Sequence, residues 1–250
     1  MEFLSNTKIG LVRGLSFKNA DISYPTIMGF CCKQDIENKY NRMLMLNTKE
    51  IHTAENMLHE KRKSSYLMGR ISAKIALKEY LALDNCSGIY IENGIFNQPV
   101  ISGGIKLNCQ LSISHTDNIG VSIVFDERHP LGIDIEDMGN ENISYVEALL
   151  TPKERILLKE ETSLIAWTSK EALSKCLKTG LTLPYNWFEI EHISQLHEGL
   201  YEVYFSDYKQ FKAICISGGK YVIAISSHVA SCINVDELLG LQNSLTTYNN

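Results

Sequence analysis

The chain is first bounded by what it lacks. No apolar run reaches the roughly 18 residues a membrane-spanning helix needs, and no signal-peptide pattern opens the sequence. Positive charge is not in excess: 24 Lys and Arg stand against 29 Asp and Glu, a net charge of −5. The basic footprint of a general nucleic-acid binder is therefore not expected. The seven cysteines form no C-x-x-C pair and have no clustered histidines beside them. Reduced thiols in a cytoplasmic protein without a zinc site are the simpler expectation. Cys31-Cys32 reads as two small apolar residues in a strand. Ser114-His115 has no Gly-x-Ser-x-Gly elbow to make it a hydrolase nucleophile. No literal internal repeat can be read.

What is present points to a folded α+β chain. With 250 residues, 44% of them apolar, the protein can bury a sizeable core as one domain or two small ones. The first 45 residues say little beyond a strand over 24–33, with Pro25 at its start. Thr48 reads as an N-cap, and helical periodicity then runs from Lys61 to Leu83. Arg70, inside that helix, either packs its stem as a structural residue, the favoured reading, or approaches a phosphate. A turn, a strand and a second turn occupy 84–99, and two strands joined at Asp117-Asn118 occupy 111–125. Residues 144–150 suggest a short helix. Thr151-Pro152 is a clean helix start, and a helix over about 163–178 ends at Gly180–Pro184. Strands are expected at 187–192, 201–205, 211–216 and 221–226, and the last ten residues read as a frayed polar tail.

The stretch from Leu131 to Lys175 carries the chemistry. In a strand over 131–136, Ile133 and Ile135 point one way and Asp134 and Glu136 the other. In the helix that follows, Trp167, Lys170, Glu171 and Lys175 recur at i, i+3 and i, i+4 spacing, while Ile165, Ala172, Leu173 and Cys176 turn largely toward a core. Three carboxylates and an ammonium brought together in this way suit a magnesium site that handles phosphate. Taken singly, each piece also has an ordinary reading, as a half-buried strand, a surface ion pair and a core tryptophan.

Gly132-Ile133-Asp134-Ile135-Glu136, then Trp167-x-x-Lys170-Glu171-Ala172-x-x-Lys175, with Ser112-Ile113-Ser114-His115-Thr116 upstream, resembles the paired signature and Ser-His motif of the phosphopantetheinyl transferases. Length and block spacing are similar to the Sfp-type branch, and the resemblance runs from about Thr48 to about Ile190. It implies a pseudo-dimer of two similar halves, each a long helix with a small antiparallel sheet. Residues 1–129 would contribute to coenzyme A binding, and 130–250 would hold the metal site and catalytic helix. It implies transfer of the phosphopantetheine arm of coenzyme A to a serine of an acyl or peptidyl carrier protein, by a cytoplasmic monomer. Asp134, Glu136 and Glu171 would hold Mg²⁺, Glu171 would act as base, and Lys175 would stabilise the phosphates and the departing 3′,5′-ADP. His115 would bind the 3′-phosphate of coenzyme A, supported by Ser114. Lys170 would support Glu171 or phosphate, and Trp167 would shape the site.

One departure stands out: the family's Gly-basic-Pro turn is Asn97-Gln98-Pro99 here. Lys106 or a lysine of the N-terminal half would have to cover the missing charge. Two rival readings stay open, a non-catalytic coenzyme A or carrier-protein binding module and a Mg²⁺-dependent hydrolase of nucleotide pyrophosphates. Fatty-acid, polyketide and peptide-synthetase carriers are all compatible with the sequence.

Overall fold

The computed structural model describes residues 9–247, apart from 87, 104–107, 140–145, 147 and 159. Lys106 and residues 144, 145 and 147 of the helix expected at 144–150 thus lie outside the described residues. Two antiparallel sheets face each other. The first contains β1 (Leu11–Asn19), β2 (Ile22–Cys32), β5 (Cys109–His115) and β6 (Ile119–Asp126), in the order β1-β2-β6-β5. The second contains β7 (Gly132–Asp137), β8 (Ile190–His197), β9 (Leu200–Phe205), β10 (Phe211–Gly218) and β11 (Tyr221–His228), in the order β7-β11-β10-β9-β8. A separate hairpin joins β3 (Tyr90–Asn93) to β4 (Pro99–Ser102).

Alternation along the strands builds the layers. Ile119, Val121, Ile123 and Phe125 of β6 meet Ile133 and Ile135 of β7 and Ile223 and Ile225 of β11 in one core between the sheets. The outer face of the first sheet is covered by α4 (Glu60–Tyr80), which follows the short helices α1 (Lys33–Glu37), α2 (Lys39–Met45) and α3 (Thr48–Glu55). The outer face of the second is covered by α6 (Glu160–Cys176), which follows α5 (Pro152–Leu157). Each sheet with its long helix is one unit of an α+β fold, as expected.

Both units repeat one construction that residue identity hides. In the first, Asn47 caps α3, and Glu50, three residues on, closes a capping box. Buried Glu50 then accepts the Ile91 N–H and pairs with buried Lys74 of α4. In the second, Thr151 caps α5, Glu154 closes the box, accepts the Ile190 N–H, and pairs with buried Lys170 of α6 at 2.6 Å.

Glycines set how closely helix and sheet approach. A Cβ on Gly132 of β7 would stand 2.1 Å from the Ala172 carbonyl oxygen and 2.4 Å from the Cys176 nitrogen. Only a residue without a side chain lets α6 lie this close to β7, which is how Glu171 and Lys175 come beside Asp134.

Three expectations need correction. The tail is not frayed through its last ten residues: α7 (Val235–Thr247) is a helix, with Leu238, Leu241 and Leu245 in the inter-sheet core. It ties the units together, because Glu237 accepts the Ser16 N–H and Ser244 accepts from Arg13 Nε. The cap of α3 is Asn47, one residue before Thr48. Trp187 belongs to a 3₁₀ turn, Tyr185–Phe188, and the strand begins at Ile190. Cys31 and Cys32 both lie in β2, as expected, with Cys31 buried and the Cys32 thiol at the strand's end donating to Asp35 at 3.2 Å.

The connection from β6 to β7 carries a buried histidine. His129 bonds Ser231 through Nε2 at 2.7 Å and stacks on Tyr24 at 4.6 Å. Burial, and then the nearby charge of His228, push its pKa below the ordinary value, against the pull of Asp126. The unfolded chain therefore binds this proton at a higher pH than the native one, so stability falls as pH drops below about 6.5. Urea midpoints measured from pH 8 to pH 5 will decline in the wild type, and the decline will be shallower in His129→Phe. Equal slopes in the two proteins would remove His129 as a cause.

Candidate active site

The site forms where two edge strands, β5 of the first sheet and β7 of the second, run beside each other. Side chains of β5 fasten the seam. Ser112 Oγ accepts the Ile133 N–H at 3.2 Å, and Ser114 Oγ donates to Asp134 Oδ1 at 2.7 Å. Asp134 and Glu136 face α6 from β7, and α6 supplies Trp167, Glu171 and Lys175. Lys175 Nζ meets Asp134 Oδ1 at 2.6 Å. The Trp167 indole N–H donates to Glu136 Oε1 at 2.9 Å. Tyr185, in the 3₁₀ turn after α6, hydrogen-bonds Glu171 and sets its ring 4.6 Å from that of Trp167.

The electrostatics follow from crowding three carboxylates into a cleft. Glu136 is pushed up to about 7, first by burial and then by the charge of Asp134, against the Trp167 hydrogen bond and Lys175. Glu171 is raised by burial and by Asp134, against Lys175 and the Tyr185 hydrogen bond. Asp134 Oδ2 and Glu171 Oε1 are buried without a hydrogen-bond partner. Acceptor oxygens left unpaired in this way are costly, and the three carboxylates of the cleft face the one ammonium of Lys175 among the described residues.

These observations bear on a metal in two ways. Among the described residues, no group of three or more His, Cys, Asp or Glu is drawn together as a ready ligand set, and Lys175 already takes Asp134 Oδ1. The two orphaned oxygens and the raised carboxylates nevertheless fit a hard divalent cation, which prefers oxygen ligands.

His115 ends β5 with its side chain partly in solvent. Its pKa is lowered, first by the cleft walls that displace water from its inner edge and then by Lys175, against Asp134 and Asp117. Ser114 and His115 take different places: Ser114 is bonded inward to Asp134, and His115 stands at the rim.

Lys170 does not join the cluster. It is 2% exposed and paired with Glu154, and its ammonium also meets the Tyr185 carbonyl at 3.5 Å. Arg70 is structural, bonding Asn93 at 2.7 Å and lying over the Tyr66 ring.

Beside the cluster opens a cavity of about 630 Å³ between β4, β5 and the end of α6, with Phe96, Ile101, Leu111 and Ile113 among its apolar walls. Gln98 lines it too, its side chain accepting the Phe96 N–H at 2.9 Å. Among the described residues, the lysines on its walls are Lys175 and Lys178. No motif or spacing in the sequence singles out Lys178 or Tyr185. Both follow Glu171 across a helix end and a turn, where no periodicity ties them to it.

Residues 130–226 match the model of the 4′-phosphopantetheinyl transferase superfamily. Over 132 residues the chain is 29% identical to the 4′-phosphopantetheinyl transferase gsp of Aneurinibacillus migulanus, covering 50% of this chain and 53% of that protein. The chain thus matches about half the length of this curated relative. A holo-(acyl-carrier-protein) synthase from Bacillus anthracis str. Ames, solved in complex with CoA (3′,5′-ADP), superposes with a TM-score of 0.35 at 18% identity, over 46% of this chain and 96% of that one. The segment matched by the superfamily model contains Asp134, Glu136, Trp167, Glu171 and Lys175, so the likeness falls on the residues of the cluster.

Proposed function

We propose that this protein transfers the 4′-phosphopantetheine arm of coenzyme A to a serine of an apo acyl or peptidyl carrier protein, in a Mg²⁺-dependent reaction that releases 3′,5′-ADP. The observation that carries this reading is the pair of buried, unpartnered oxygens on Asp134 and Glu171, within a cluster that also holds Glu136 and Lys175.

Asp134, Glu136 and Glu171 would hold Mg²⁺, which when bound neutralises pyrophosphate charge. The remaining work belongs to the chain. Glu171, its basicity raised by burial and by Asp134, takes the proton of the carrier serine as that oxygen bonds to phosphorus. The P–O bond to 3′,5′-ADP breaks in the same displacement, and Lys175 stabilises the phosphate oxygens and the departing group. Ser114 holds Asp134 in place, and His115 at the rim meets the 3′-phosphate. The apolar cavity beside Lys175 suits the uncharged pantetheine arm. Lys178, on the wall shared with Gln98, supplies the charge missing from the Asn97-Gln98-Pro99 turn.

In this reading residues 1–129 provide coenzyme A contacts, and 130–250 provide the cation site and catalytic helix. The protein acts as a cytoplasmic monomer. Carrier and protein are both acidic, so they meet over a local apolar or basic patch.

Nucleotide analysis tests the reading. Incubation with coenzyme A, Mg²⁺ and an apo carrier will release one 3′,5′-ADP per serine modified, and none when the carrier is omitted. Release without a carrier would indicate a pyrophosphate hydrolase. Coenzyme A binding with no release under any condition would indicate a binding module.

A further inference from the structure

Every carboxylate of the cluster has one oxygen held by a protein donor. Ser114 and Lys175 hold Asp134 Oδ1, and Trp167 holds Glu136 Oε1. The Tyr185 hydroxyl bonds Glu171, whose Oε1 stays without a partner. Tyr185 is the donor that lies on neither β5, β7 nor α6. Its place in the chain and two contacts nevertheless fix it. Its backbone follows Pro184 into the 3₁₀ turn. Its carbonyl accepts from Lys170, itself buried against Glu154. Its ring packs on Trp167, tilted by 37°.

We infer that Tyr185 is a positioning residue of the carboxylate cluster, its hydroxyl on Glu171 and its ring on Trp167 bracing Glu171 and Glu136 as one unit. The consequence is geometric. Trp167 and Tyr185 each occupy one oxygen of a glutamate and limit its rotation, so the opposite oxygens stay in register with Asp134 Oδ2. Donors behind the ligands of a cation site orient those ligands, and losing one typically costs about 10–100-fold in affinity. The turn that carries Tyr185 is anchored through Lys170 to the Glu154 pair, so the buried ion pair of the second unit supports the site from behind. This inference rests on the reading of the cluster as a cation site.

The test uses the full chain and Mn²⁺ as the probe, with free Mn²⁺ read by electron paramagnetic resonance. Tyr185→Phe keeps the ring on Trp167 and removes only the hydroxyl. Its Mn²⁺ dissociation constant will rise about tenfold, while its circular dichroism and thermal midpoint stay near those of the wild type. Tyr185→Leu removes the ring as well and will bind more weakly still; should it unfold, the phenylalanine variant decides. Wild-type affinity in Tyr185→Phe, or no Mn²⁺ binding by the wild type, overturns the inference. Tyr185-dependent Mn²⁺ binding in a wild type that modifies no carrier counts against the transferase reading alone. Transfer by a wild type whose Tyr185→Phe variant binds Mn²⁺ normally counts against Tyr185 alone.

Discussion

Asp134→Ala will lose transfer to a carrier protein by about a thousandfold or more and will remain folded. A group placed to act on charge developing in a transition state is worth roughly 10²–10³ in rate, and Asp134 links β5 to α6 at the centre of the cluster. It accepts from Ser114 and Lys175, presents an unpartnered Oδ2, and raises both glutamates through its charge. The fold should tolerate its loss. Lys175 is 26% exposed and can turn to water once unpaired, and removing one of three crowded carboxylates relieves repulsion. A second readout follows with a fixed sign. Because Asp134 helps push Glu136 up to about 7, Glu136 in the variant will titrate at a lower pH than in the wild type. Normal turnover by a folded Asp134→Ala protein would end the assignment of this cluster to catalysis.

Lys170→Met will lower stability by about 3–5 kcal/mol, a large part of the roughly 5–15 kcal/mol that holds a domain together. Glu154 is fully buried, and two of its partners, the Thr151 and Ile190 N–H groups, are neutral. Methionine would leave its charge without a counter-ion in the interior. Adding Glu154→Gln will recover part of the loss, because the amide oxygen can still accept those N–H groups. Lys153, which pairs with Glu189 at the surface at 3.0 Å, is the control: Lys153→Met should cost no more than about 1 kcal/mol. Urea midpoints of the three variants give the comparison, and equal shifts for Lys170→Met and Lys153→Met would contradict it.

Lys170 also marks where the sequence misleads. Spacing alone places residues 167, 170, 171 and 175 on a shared side of a helix. At about 100° per residue, however, Lys170 lies about 140° around the axis from Lys175. That difference sends Lys170 behind α6 to Glu154 and leaves Lys175 in the cleft. The strand half of the site was more legible. Alternation has only two faces, so Asp134 and Glu136 had to share the one opposite Ile133 and Ile135. The same two-face logic made β6 and β11 readable, because apolar residues of each recur in register with the inter-sheet core, and β5 readable through Leu111 and Ile113, which pack in the cluster under α4.

Elsewhere the signal was covered by polar neighbours or lay in three dimensions. Leu238, Leu241 and Leu245 recur at helical spacing, but Gln242, Asn243 and Thr246 between and beside them make the segment read as a tail. The duplicated construction has Asn47 in one unit and Thr151 in the other, and the separation from Glu50 to Lys74 differs from that between Glu154 and Lys170. No alignment of the sequence with itself would find it, since what repeats is a hydrogen-bonding role. Gly132 is the opposite case: the residue is plain in the motif, but its reason, the closeness of α6, needs the packed structure.

The most direct test of the account is intact-mass spectrometry of an apo carrier protein incubated with this protein, coenzyme A and Mg²⁺. The account predicts that the carrier gains the mass of one phosphopantetheine on its serine, and that EDTA abolishes the gain. An unchanged mass across several unrelated carriers, with coenzyme A measurably bound, would contradict it.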